Sequence, residues 1–75
     1  MPELYQLASA ITRHLDSIHA DDPIGLIRAK GTLATRTGFL VSLINPNDHN
    51  DPEKVRLLRQ AARELGLEAC MEGSR

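Results

Sequence analysis

PIGLIRAKGTLATRTGFLVSLINPN, residues 23 to 47, is the stretch on which the fold turns. It contains no acidic residue, and its three charges, Arg28, Lys30 and Arg36, are all positive. From Leu26 to Arg36 the residues alternate. Ile27, Ala29, Gly31 and Leu33 fall on one side, and Arg28, Lys30, Thr32 and Arg36 on the other. A period of two is the pattern of a strand with one face in water. Gly38 to Ile44 is apolar on both faces and reads as a central, doubly covered strand. Gly31 and the β-branched Thr32, Thr35 and Thr37 count against a helix. The expectation is therefore a β-hairpin turning near Arg36, Thr37 and Gly38, where glycine supplies a positive φ. Asp22 followed by Pro23 also fits the cap of a short helix beginning at Ile24.

Outward from this stretch the pattern changes period. Leu4, Leu7, Ala8, Ile11, Leu15 and Ile18 recur at helical steps and predict an amphipathic helix over residues 3 to 19, stopped by Asp21, Asp22 and Pro23. On the other side, a polar loop from Asn45 to Asn50 leads to a second helix with a strong start: Asp51 as N-cap, Pro52 at the first position and Glu53 in the first turn. Its inward stripe is Val55, Leu58, Ala61, Ala62 and Leu65, and Gly66 suits a left-handed C-cap. Leu67 to Met71 is compatible with a short third strand, and Glu72 to Arg75 with a frayed end. The expected fold class is α+β, one small domain over residues 1 to 75 in the order helix, β-hairpin, helix, strand.

Seventy-five residues lie near the lower limit for an independent core. With Phe39 and Tyr5 as the large aromatics, that core must be aliphatic. One cysteine allows no internal disulfide, and no cysteine and histidine spacing matches a structural zinc site. Association is the remaining reinforcement, so a homodimer is expected. The lone thiol, with Glu3 in place of a basic, apolar export signal, points to the cytoplasm. No apolar run approaches the ~20 residues needed to cross a bilayer.

Six cations are the candidate binding residues. Arg56, Arg59 and Arg63 fall within about 60° of one another on the second helix at 100° per residue. With Arg28, Lys30 and Arg36 on the wet face of the hairpin, they could engage an acidic protein partner or phosphates. A solvated face paired with local acids is the simpler alternative. No aromatic side chain is interleaved to stack on bases, and a net charge of −1 does not favour nucleic acid.

Asp48, His49 and Asp51 could serve a metal, but Asx-turn and capping chemistry accounts for the same loop. His14 and His19 are five apart and do not share a helical face. Asp48, Asp51 and Glu53 would repel phosphate at the second helix start. Ser9, Ser17 and Ser42 lack an evident base, and Cys70 reads as an apolar packing residue. The reading is a non-enzymatic protein-interaction or regulatory module without cofactor or metal, forming a homodimer. A nucleic-acid-binding module comes second, and a metal-dependent enzyme centred on Asp48, His49 and Asp51 third.

Overall fold

In a computed structural model of the protein, residues 2 to 67 are described and form three α-helices joined through one 3-10 turn. Helix α1 runs Glu3–Ile18, α2 Pro23–Thr37 and α3 Pro52–Glu64, with the 3-10 turn at Val41–Leu43. No strand occurs among the described residues, so the domain is helical and the α+β expectation is corrected. Of the proposed third strand, Leu67 is described and buried without strand pairing. Residues 68 to 71 of it, and the tail 72 to 75, lie outside the described residues.

The hairpin is replaced by α2 because both ends of that helix are capped and two of its three hydroxyls have helical partners. Asp22 accepts the Gly25 N–H at 3.0 Å, Pro23 occupies the first turn, and Gly38 closes the helix at φ 83° with its N–H donated to Ala34 O. Gly38 thus supplies the expected positive φ, but to end a helix. Two of the three threonines that count against a helix instead turn back on it. Thr35 Oγ1 donates to Gly31 O and Thr37 Oγ1 to Leu33 O, each at 2.9 Å.

Burial settles the period. Leu26, Ala29, Leu33 and Thr37, at steps of three, four and four, face the core. Ile27 and Leu33 would share a strand face, yet Ile27 is 71 % exposed and Leu33 only 2 %. The segment after Gly38 is apolar on both sides because it is a turn. Phe39, Val41 and Ile44 point inward, while Leu40 and Leu43 stay exposed.

Leu4, Leu7, Ala8, Ile11 and Leu15 of α1 meet Val55, Leu58, Ala61 and Ala62 of α3, and α2 adds Leu33 from the side. Helix α3 packs on both α1 and α2, and the 3-10 turn closes the end of the α1–α2 pair. Helix α3 begins as its sequence predicts, with Asp51 accepting the Glu53 N–H at 2.9 Å. At its other end Gly66, at φ 75°, donates to Arg63 O and Leu67 to Ala62 O, a Schellman closure that turns Leu67 into the core.

Candidate functional site

The helical form of residues 23 to 37 redistributes the six cations. At about 100° per residue, Arg28, Lys30 and Arg36 leave α2 in three different directions and cannot share one wet face. Lys30 turns to α1, where its Nζ lies 3.6 Å from Asp16 Oδ1. Arg36 turns to α3, where its guanidinium meets Glu64 at 3.2 Å. Arg28 lines a groove of about 470 Å³ between the end of α1, the first half of α2 and the segment after α3, beside Ile18, His19 and Leu67.

Arg56, Arg59 and Arg63 do come together, on the outer side of α3, around a shallow depression of about 490 Å³ shared with Gln60 and Glu64. Arg36 reaches its edge through Glu64, so four of the six residues form one cluster and Arg28 and Lys30 stand apart. Carboxylates are built into this surface. Arg56 is paired with Glu53 one turn earlier, and Arg59 with Glu3 at the head of α1. The Arg56 guanidinium holds the Glu53 carboxyl below its usual range, and Glu53 raises Arg56 in return. Exposed pairs of this kind contribute little to stability, but they lower the positive potential a phosphate would meet.

Asn45 and Asp48, in the loop before α3, hold that loop's own backbone. Asp48 Oδ2 accepts the Asn45 N–H at 2.9 Å and Asn45 Oδ1 accepts the Asn47 N–H at 3.0 Å. Asp51 caps α3, and no group of three or more metal-ligating side chains occurs among the described residues. Ser42 is exposed in the 3-10 turn, and Ser9 Oγ accepts from Arg13 at 3.3 Å. His19 Nδ1 lies 3.7 Å from Asp22, beside the α2 cap. No described helix is long and apolar enough to cross a membrane.

A second surface was hidden by the strand pattern. Ile24 and Ile27, 72 % and 71 % exposed, project from the side of α2 nearly opposite its core stripe. Gly31 continues that side with open space where a Cβ would stand. Leu40 and Leu43 are exposed beyond the far end of the helix, and Ile18 at the end of α1. A helical projection of residues 23 to 37 separates Ile24, Ile27 and Gly31 from Leu26, Ala29, Leu33 and Thr37, and is the sequence signal that locates this face. Comparisons of the chain with protein-family models, curated proteins and solved structures find no match.

Proposed function

We propose that this chain is a small non-enzymatic interaction module of regulatory type that works as a homodimer. The observation that carries the reading is the apolar outer side of α2. Two isoleucines stand more than two-thirds exposed on a domain whose core is thin and mainly aliphatic. Such residues contribute little while in water, and burying each against a partner gains roughly 1.5 to 3 kcal/mol. A chain of this size has few other means of reinforcement. Its single cysteine agrees with a reducing, cytoplasmic setting.

Sedimentation velocity across a dilution series tests this reading. A mass moving from one chain toward two as the concentration rises through the micromolar range is expected, since an interface of one helix face associates weakly. A monomer throughout overturns it.

The depression among Arg56, Arg59 and Arg63 favours a second reading, a phosphate-contacting nucleic-acid module. The carboxylates of Glu3, Glu53 and Glu64 within the same surface place it behind the first. Binding of a labelled DNA or RNA that weakens steeply with salt would reverse that order.

A further inference from the structure

The outer face of α2 is complementary to itself in one orientation. We propose that a second copy of this chain docks there with the two α2 helices antiparallel, about a two-fold axis between Gly25 and Leu26. This rests on the homodimer reading above and specifies its interface.

Two features select the arrangement, and a third sets its strength. The first is shape along the helix. Ile24, Ile27, Arg28 and Gly31 fall within an arc of about 100° on the side away from the core. A two-fold axis between residues 25 and 26 sets Ile24 of each copy opposite Ile27 of the other. Gly31 then faces the turn that precedes the second copy's α2, and the open space at Gly31 leaves room for it.

Charge is the second feature. Helix α2 has no acid within Pro23–Thr37, while Asp21 and Asp22 stand exposed immediately before it. Parallel helices would set Arg28 against Arg28. The antiparallel pairing sets Arg28 opposite the second copy's Pro23, the first residue of its α2, beside its N-cap Asp22 and the Asp21 before that. Neither Arg28 nor Asp21 has an ion-pair partner among the described residues. An isologous interface must present both members of each complementary pair on one chain, and this face does so.

Area is the third. A stable dimer covers about 800 Å² per partner, roughly a sixth of the 4908 Å² surface of this chain. One helix face is smaller than this, so the pair is weak and reversible.

The test compares the wild-type chain with Ile27→Lys, Arg28→Glu and Asp21→Lys by sedimentation velocity, with circular dichroism to confirm unchanged helix content. Asp22 is left alone because it caps α2. The wild type is expected to dimerise, and Ile27→Lys to weaken the dimer by about tenfold or more. Each charge reversal alone should weaken it several-fold. An equimolar mixture of Arg28→Glu and Asp21→Lys should recover dimer, because each mixed pair restores both opposite-charge contacts. A dimer indifferent to Ile27→Lys overturns this face while leaving the homodimer reading standing. Dimers that respond to Ile27→Lys but show no recovery on mixing overturn the antiparallel register. A wild-type monomer overturns both proposals, and if Ile27→Lys then lowers its melting temperature, the face is covered within one chain.

Discussion

The side-chain carbonyl of Asn50 accepts the backbone N–H of Leu4 at 2.9 Å, so the first helix of the chain is capped by a residue 46 positions later. The N-cap position of α1 is Pro2, which has no side-chain acceptor. Asn50 supplies what Pro2 lacks, and ties the loop before α3 to the head of α1. The Arg59–Glu3 ion pair joins the same two elements one step away.

Replacing Asn50 by Ala should therefore cost about 0.5 to 2 kcal/mol, the usual cost of losing an N-cap. Asn50→Asp keeps an acceptor and adds a negative charge at the positive end of α1, so it should retain most of the stability. Urea unfolding of the three chains checks this. Equal losses from both substitutions would show that the capping bond contributes nothing.

Thr37 is a buried polar residue whose hydroxyl donates to Leu33 O at 2.9 Å and accepts from the Phe39 N–H at 3.4 Å. Thr37→Val is near in shape but removes both bonds at the end of α2. A loss of about 1 to 2 kcal/mol is expected. The neighbouring Thr35, exposed with a similar i−4 bond, should tolerate the same change within about 0.5 kcal/mol.

Leu33 and Ile27 separate the helix from the strand pattern energetically. In dilute, monomeric protein Leu33→Ala should destabilise by about 2 to 4 kcal/mol, while Ile27→Ala should change stability by less than about 0.5 kcal/mol. Comparable losses at both sites would place both side chains in one core face, against the burial of Leu33 and exposure of Ile27.

The Glu53 carboxyl, held below its usual range by the hydrogen bond and charge of Arg56, gives a pH test. Its folded value lies below its unfolded one. The contribution of the pair is thus present at neutral pH and is lost as pH falls through the lowered value. Side-chain carbon NMR should show the Glu53 midpoint rising toward the ordinary carboxylate range in Arg56→Gln. A midpoint unchanged by the substitution would remove the pair from the electrostatics of α3.

Helices α1 and α3 were legible in the sequence because large apolar side chains mark nearly every inward position, from Leu4 to Leu15 and from Val55 to Ala62. Asp51 and Pro52 then announce where α3 starts. Helix α2 was obscured because its inward positions include the small Ala29 and polar Thr37, while its outward side carries Ile24 and Ile27. Apolar residues on both sides imitate an alternation that neither side has. Threonine hydroxyls bonding back to helical carbonyls leave no trace in a propensity reading. The grouping of Arg56, Arg59 and Arg63 followed from helical spacing alone. The Glu3 partner of Arg59 did not, because it lies 56 residues away and meets Arg59 only through the packing of α1 on α3.

The apolar face of Ile24 and Ile27 and the dispersal of Arg28, Lys30 and Arg36 depend on residues 23 to 37 being helical, and backbone carbon chemical shifts test that most directly. The account predicts Cα shifts displaced downfield of random coil continuously from Pro23 to Thr37, with a break at Gly38 and no extended run over residues 39 to 44. Upfield Cα shifts over residues 26 to 36 and again over 38 to 44, with cross-strand nuclear Overhauser contacts between the two runs, would contradict it and restore the hairpin.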